Sequence, residues 1–152
     1  ATGLPVAILG GGHLEAELKA QAAEAGVPNV HFLGLLPDED KAALLTLCYA
    51  FVFPSHLRSE SFGISLLEGA MYGKPMISCE IGSGTTYINI AGETGLVVPP
   101  RDSIALAQAM TRLWSEPATA ARMGLAAERR FEEVFSSSLM AQSYADIYRS
   151  LL

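Results

Sequence analysis

Five short apolar runs divide the chain, and longer stretches with helical spacing lie between them. The runs cover residues 6–9, 30–33, 50–53, 76–79 and 95–98. Short apolar runs bounded by turn residues are typical of buried strands, and their alternation with helices is typical of βαβ units. Because such crossovers are right-handed, the pattern predicts an α/β fold in which helices cover both faces of a parallel sheet.

A boundary residue marks each of the main predicted helices, since capping residues, prolines and glycines favour helix ends. These signals are Gly26 after residues 14–25, Asp38 before residues 41–47, Gly63 before residues 64–72, Asp102 or Ser103 before a helix to about residue 115, Pro117 at the start of one reaching about residue 135, and residues 136–138 before the last. The helix that begins at Gly63 is the one with candidate chemistry around it.

The start of that helix predicts an anion site. The N–H groups of residues 62 to 65 have no carbonyl partner inside the helix, and together with the positive end of its dipole they suit a phosphate. Glu60 precedes the helix, and Glu68 lies four residues after Ile64 on the same face. Carboxylates accept hydrogen bonds from hydroxyl groups, so the predicted ligand has a diphosphate between two diols, as a nucleotide-diphosphate sugar does.

A plainer interpretation stays open beside this one. Two glutamates near a helix are most often solvated surface charges. The order strand, Pro-Ser loop, Glu60, Phe62-Gly63 and helix weighs against it. Of the neighbouring side chains, Arg58 is the only cation close in sequence, and a solvated loop arginine is its more common role.

Two further glycine-rich turns follow predicted strands. Residues 10–12 begin like a dinucleotide fingerprint, which fails because Glu15 occupies the position where a third glycine is needed for close helix packing. Gly10 and Gly11 still permit the close approach of a ligand, beside their role in a tight turn. Residues 80–87 follow the fourth strand as a glycine-rich loop and are expected on the same sheet edge as Glu60, because ligands collect at the carboxyl ends of parallel strands.

Composition narrows the class of protein further. With 152 residues, half of them apolar, the chain is expected to form one domain. Its formal charge of −6 without a Lys/Arg cluster argues against nucleic acid as a partner. Cys48 and Cys79 are expected to be buried free thiols in a reducing cytoplasm, and no Cys/His spacing fits a metal site. The apolar runs are too short to span a bilayer, and the missing initiator Met suggests a fragment of a longer protein.

With these elements in place, the chain closely resembles the C-terminal, donor-binding domain of GT-B retaining glycosyltransferases of family four. The resemblance covers nearly the whole chain, and its core is the E-x7-E motif formed by Glu60 and Glu68. Its other matching segments are residues 6–12, 30–34, 53–55, 73–75 and 95–100, followed by Asp102.

The resemblance implies a Rossmann-like parallel sheet with helices on both faces, the C-terminal half of a GT-B fold whose first strand and helix are missing. Residues 1–152 would be the nucleotide-sugar binding domain of a longer two-domain hexosyltransferase, and the absent N-terminal domain would bind the acceptor. The nucleotide-diphosphate sugar is then the substrate, and neither a metal nor a cofactor is expected. The enzyme would be cytoplasmic, and any peripheral contact with the inner face of the membrane would run through the absent domain.

The resemblance also assigns roles to residues of this chain. Glu60 would be the catalytic residue, in contact with hydroxyls of the donor sugar, and Glu68 would bind the ribose. The other implied donor-binding residues are Ser61, Phe62, Gly63 and Ile64 around the sugar and diphosphate, and Leu36 near the nucleotide base.

Two departures from the family pattern set further expectations. Family members usually carry an upstream strand and helix with an Arg and a Lys for the diphosphate, and without such cations two carboxylates should weaken diphosphate binding. Thr86-Tyr87 stands where the family usually has Pro-Glu, a version that looks like bacterial mannosyltransferase-like enzymes of surface-polysaccharide assembly and favours a GDP-sugar over a UDP-sugar. A sugar phosphorylase or epimerase of the same architecture, and a non-catalytic nucleotide-binding or interaction domain, remain alternatives.

Overall fold

A computed structural model describes residues 2–151 and divides the chain into two compact units, one ending at Thr46 and the other beginning at Leu47. In the first unit, β1 (Val6–Leu9) pairs in parallel with β2 (Val30–Gly34). Helix α1 (Glu15–Glu24) connects the two strands, and α2 (Asp38–Leu47) follows β2. Gly26 follows the end of α1 as predicted. It has a φ of 61°, and its N–H donates to the carbonyl of Ala23.

The second unit contains a parallel sheet with strand order β3, β4, β5, formed by Phe51–Phe53, Met76–Cys79 and Gly95–Val98. Its helices are α3 (Ile64–Met71), α4 (Thr85–Ile88), α5 (Ser103–Ser115), α6 (Pro117–Arg130) and α7 (Ser137–Ser150), with a π-helical turn, Phe131–Phe135, after α6. Asp102 caps α5 as predicted, because its carboxylate accepts from the N–H groups of Ile104 and Ala105.

The central strand β4 shows why this sheet needs a helix layer on each face. All four of its residues are buried, and successive side chains of a strand point to opposite faces. Ile77 packs with Leu113 of α5 and Met123 of α6, whereas Met76 packs with Leu66 of α3. The α/β class with parallel strands and helices on both faces is therefore confirmed.

Several boundaries differ from the sequence predictions. Asp38 is the first residue of α2 instead of its cap, because the carbonyl of Pro37 already accepts from Lys41. The helix predicted to reach residue 135 is regular only to Arg130, since the π-helical turn takes over there. The short helix α4 was not predicted, and the strands hydrogen-bond in two sets where one sheet was expected.

Neither cysteine forms a disulfide within residues 2–151. Cys79 is buried in β4, and Cys48 is half-buried. Burial raises the pKa of both thiols, and for Cys48 the nearby charge of Lys74 works against that rise. Both therefore favour the neutral thiol, which is a poor nucleophile. Among residues 2–151, no helix combines the length and the apolar content needed to cross a membrane.

Candidate functional site

The loop after β3 reaches its helix through a glycine that no other residue replaces easily. Gly63 precedes α3 with a φ of 94° and a ψ of 57°, a left-handed conformation that side chains disfavour. A Cβ at this position would lie 3.1 Å from Cδ1 of Leu66 and 3.2 Å from Cγ2 of Thr85. The predicted start of the helix at Gly63 is confirmed, and close packing behind it makes the turn tight.

Glu60 folds back onto the start of this helix. Its Oε1 accepts a hydrogen bond of 2.9 Å from the N–H of Gly63, and the side chain is half-buried. Of the four N–H groups predicted to bind phosphate, one is therefore occupied by the neighbouring carboxylate. A carboxylate oxygen accepts more than one hydrogen bond, and the second oxygen adds further capacity. Glu60 is thus held in position with acceptor capacity left over.

The other three N–H groups at the start of the helix have no described hydrogen-bond partner. Within residues 2–151, the N–H groups of Phe62, Ile64 and Ser65 have no hydrogen-bond acceptor, while that of Leu66 donates to the carbonyl of Gly63 at 2.8 Å. The side chain of Ile64 is 71% exposed, so the surrounding surface is open to solvent. Unpaired donors at the positive end of a helix are the usual setting for a bound anion.

Glu68 lies on α3 one turn after Ile64, and its side chain is half-buried. The predicted placement of this carboxylate on the helix that starts at the site is confirmed. The next residue, Gly69, allows α3 to pack closely on β3. A Cβ at this position would come within 2.8 Å of the ring of Phe51. The contact fixes the distance between α3, which carries Glu68, and β3, which precedes the loop of Glu60.

The glycine-rich loop of residues 82–87 contacts the loop of Glu60. Its position after a parallel strand predicted that the two loops lie on the same sheet edge. Gly84 donates from its N–H to the carbonyl of Ser61 at 2.9 Å. A Cβ at Gly84 would lie 2.8 Å from Cδ2 of Phe62 and 2.9 Å from the oxygen of Ser61. Only a glycine permits this approach, so residues 82–87 form a second wall beside the loop of Glu60.

A group of four side chains behind these loops was missed by the sequence analysis. We call it the aromatic clamp: Phe62, Tyr87, Arg130 and Phe135. The guanidinium carbon of Arg130 lies 5.1 Å from the ring centre of Tyr87 and 5.4 Å from that of Phe135. The ring of Phe135 meets those of Tyr87 and Phe62 edge to face at 5.6 and 6.3 Å. No local pattern signals this group, because Phe62 and Tyr87 are far in sequence from Arg130 and Phe135.

The remaining candidates belong to the first unit. Gly10 follows β1 with a φ of 115°, and its N–H donates to the carbonyl of Gly34 at 2.8 Å. Gly11 is exposed, and a Cβ there would lie 3.3 Å from Oε2 of Glu15. Leu36 is half-buried and follows β2. These three residues therefore lie beyond the carboxyl ends of a parallel strand pair, where ligands collect in this class of fold.

Four other polar side chains near the loops of both units make no polar contact that the structure describes. His56 and Arg58 are exposed in the loop before Glu60, and His13 and His31 are exposed in the first unit. Within the described part of the chain, none of the four makes an ion pair or a side-chain hydrogen bond. Within the second unit, the candidate site therefore consists of the start of α3, the carboxylates of Glu60 and Glu68, and residues 82–87.

The chain is similar in sequence to known glycosyltransferases. A family model described as glycosyl transferases group 1 matches residues 2–130. The chain is 65% identical over 136 residues to the D-rhamnosyltransferase WbpZ of Pseudomonas aeruginosa, covering 90% of this chain and 36% of that protein. It is 53% identical over 149 residues to the O-antigen chain mannosyltransferase C of Escherichia coli, covering 98% of this chain and 40% of that protein.

Solved structures show the same fold. The sucrose-phosphate synthase of Thermosynechococcus elongatus superposes with a TM-score of 0.84 at 29% identity, covering 95% of this chain and 38% of that one. The chain thus spans well under half the length of each of these three proteins, since it covers 36% and 40% of the two bacterial enzymes named above. With the family model covering most of its length, this chain belongs to the glycosyl transferases group 1 family.

Proposed function

We propose that this chain is the donor-binding part of a retaining glycosyltransferase, which moves a sugar from a nucleotide-diphosphate sugar to a polysaccharide or lipid-linked acceptor. The observation that carries the proposal is a helix start with unpaired N–H groups between two half-buried carboxylates, Glu60 and Glu68. Membership of the family supports the reaction class. Acceptor binding and any further catalytic groups are assigned to the enzyme outside this chain.

Each part of the site matches a part of the donor. The N–H groups of Ile64 and Ser65 are placed to bind the diphosphate, since they and the helix dipole favour negative charge. Glu68 would accept hydrogen bonds from the ribose hydroxyls. Glu60 would accept from hydroxyls of the sugar, and its bond to Gly63 fixes its orientation before the donor arrives.

In this arrangement the chain would act by positioning and by electrostatic stabilisation. As the glycosidic bond to the diphosphate breaks, negative charge builds up on the departing phosphate. Donors that already point at that charge stabilise the transition state without reorganisation. Holding the sugar between Glu60 and the helix start would also orient its anomeric carbon towards the acceptor.

The donor we propose is a GDP-linked hexose. Two relatives that are 65% and 53% identical to this chain carry the names of a D-rhamnosyltransferase and an O-antigen chain mannosyltransferase. Thr86-Tyr87 in the second glycine loop also fits the mannosyltransferase-like version of the family pattern. Leu36, Gly10 and Gly11 are proposed contacts of the nucleotide.

Calorimetric titration of the intact protein, with any sequence that flanks this chain, tests the assignment of Glu68. GDP-mannose is expected to bind more tightly than UDP-glucose. Replacing Glu68 by alanine should raise the Kd for GDP by about tenfold, because it removes hydrogen bonds to a charged acceptor. Glu93→Ala, a change at an exposed glutamate of the same unit, serves as the control and should leave the Kd unchanged.

A second nucleotide separates ribose binding from a general effect of charge. Loss of the 2′-hydroxyl in 2′-deoxy-GDP should weaken binding to the unaltered protein and should have little effect on the Glu68→Ala variant. Equal losses in both proteins would remove Glu68 from the ribose. Release of sugar 1-phosphate from the donor in the presence of inorganic phosphate would instead identify a phosphorylase and overturn the transferase proposal.

A further inference from the structure

The aromatic clamp connects the two loops of the candidate site to the end of α6. Phe62 lies in the loop of Glu60, Tyr87 is the last residue of the loop formed by residues 82–87, and Phe135 ends the π-helical turn. Arg130 joins them, since its Nη2 donates a 2.6 Å hydrogen bond to the main-chain carbonyl of Tyr87 while its guanidinium faces two rings. One arginine therefore holds both the backbone and the ring of Tyr87.

Two of the three aromatic rings of the clamp are partly exposed to solvent. Phe62 and Tyr87 are 37% and 57% exposed, whereas the core residues Leu66 and Met76 are fully buried. Because hydrophobic stabilisation grows with the apolar area removed from water, the exposed rings add less to the stability of the fold than the core does. What the geometry does fix is the orientation of the two loops, through edge-to-face contacts and a charged hydrogen bond.

Arg130 also differs from an arginine that stabilises a fold through an ion pair. Within residues 2–151 it has no carboxylate within ion-pair distance, and its buried Nε has no hydrogen-bond acceptor. The planar guanidinium stacks on rings and reaches a carbonyl at the same time, which a lysine ammonium does not do. The adjoining π-helical turn is a form of helix often found at functional sites.

We propose that Arg130 is a positioning residue of the donor site: by stacking on Tyr87 and Phe135 it fixes Phe62, and so the loop from Glu60 to Gly63, in the donor-binding arrangement. The proposal rests on the proposed function. Arg130 would act through contacts already described. Gly84, in the same loop as Tyr87, donates a hydrogen bond to Ser61 in the loop of Glu60. Loosening the clamp should therefore weaken donor binding without removing any group that touches the donor.

The test compares Arg130→Gln, Arg130→Lys and the control Arg129→Gln in the intact protein with any flanking sequence. Arg129 is the neighbouring arginine, exposed and without a described contact. Arg130→Gln should raise the Kd and the KM for GDP-mannose by about tenfold, the effect expected for losing a charged hydrogen bond, with kcat within about threefold. Arg130→Lys should not restore binding, and Arg129→Gln should match the unaltered protein.

Hydrogen exchange supplies a readout that a merely structural role would not produce. In Arg130→Gln, faster amide exchange should be confined to residues 57–66 and 82–88, and the Tm should change by only a few degrees. A Kd within twofold of the unaltered protein overturns the proposal, as does uniform destabilisation of the second unit with unchanged binding. Restoration of binding by Arg130→Lys would show that charge alone matters and would also overturn it. Failure of the unaltered protein to bind any nucleotide sugar would reject the proposed function instead.

Discussion

Two polar groups of the second unit differ in how completely their hydrogen bonds are satisfied. The buried polar cluster consists of Ser78, Asn89 and Thr94, none more than 1% exposed. Asn89 donates to Oγ of Ser78 at 2.8 Å and to the carbonyl of Leu96 at 3.0 Å, and it accepts from Oγ1 of Thr94 at 3.1 Å. At the start of α3, by contrast, Glu60 pairs with Gly63 while the following N–H groups have no acceptor among residues 2–151.

The difference separates polar residues that serve the fold from those available to a ligand. A buried polar group without a partner costs free energy, so the cluster around Asn89 is tolerated because its members pair with one another. The start of α3 is open to solvent, and water can satisfy its donors until an anion replaces it. Substitutions in the first group should therefore change stability, and substitutions in the second should change activity.

The largest expected effect is on activity, from Glu60. Glu60→Ala should lower kcat by about 100-fold or more, similar to the loss of a group that stabilises a transition state. Glu60→Gln keeps an oxygen that can accept from Gly63 and removes only the charge, so it tests charge separately from loop geometry. Steady-state kinetics with GDP-mannose and thermal unfolding of the same samples give both quantities.

For both Glu60 variants, the Tm should stay within a few degrees of the unaltered protein, because the side chain is only half-buried. A variant that unfolds early but keeps its kcat at low temperature would assign Glu60 to the fold. That result would remove the contrast with the buried polar cluster.

The next largest effect is on stability, from Asn89. Asn89→Ala removes three hydrogen bonds and leaves buried partners unsatisfied, so it should lower the free energy of unfolding by about 2–4 kcal/mol. Urea unfolding measures this change. Asn29→Ala, at an exposed asparagine of the first unit, is the matched control and should cost much less. A loss of donor affinity in folded Asn89→Ala would show that the buried cluster also serves the site.

Local signals explain what could be predicted from the sequence. The bounds of β1, β4 and β5 follow from apolar runs that turn residues interrupt, and these bounds are as predicted. The start of α3 was predictable because Gly63 supplies a left-handed turn directly before an apolar helical stretch. The E-x7-E spacing then predicts that Glu60 precedes this helix and that Glu68 lies on it.

Contacts between distant segments could not be predicted in the same way. Arg130 bonds to Tyr87 across 43 residues, and residues 131–135 have the same apolar spacing as an ordinary helix. The division of the strands into two hydrogen-bonded sets also depends on which strands pair, and apolar runs do not encode pairing. The sequence does not predict the hydrogen bond from the N–H of Gly63 to Glu60. A carboxylate near a helix start can accept either from a ligand or from the helix itself.

The smallest expected effect comes from Gly63, the residue where the fold and the site meet. Gly63→Ala should lower the free energy of unfolding by about 1–2 kcal/mol, because an alanine is strained at a φ of 94°. It should also raise the donor Kd several-fold, since the added Cβ presses on Leu66 and Thr85 and shifts the N–H groups that follow.

Gly92→Ala separates these two consequences of the change at Gly63. Gly92 has a similar φ of 78°, but a Cβ there would meet nothing within 4 Å. It should therefore show a comparable loss of stability in urea unfolding with an unchanged Kd for GDP-mannose. Equal donor affinity in the two variants would mean that the helix start tolerates displacement. The unpaired N–H groups would then be a consequence of the tight turn and not a binding surface.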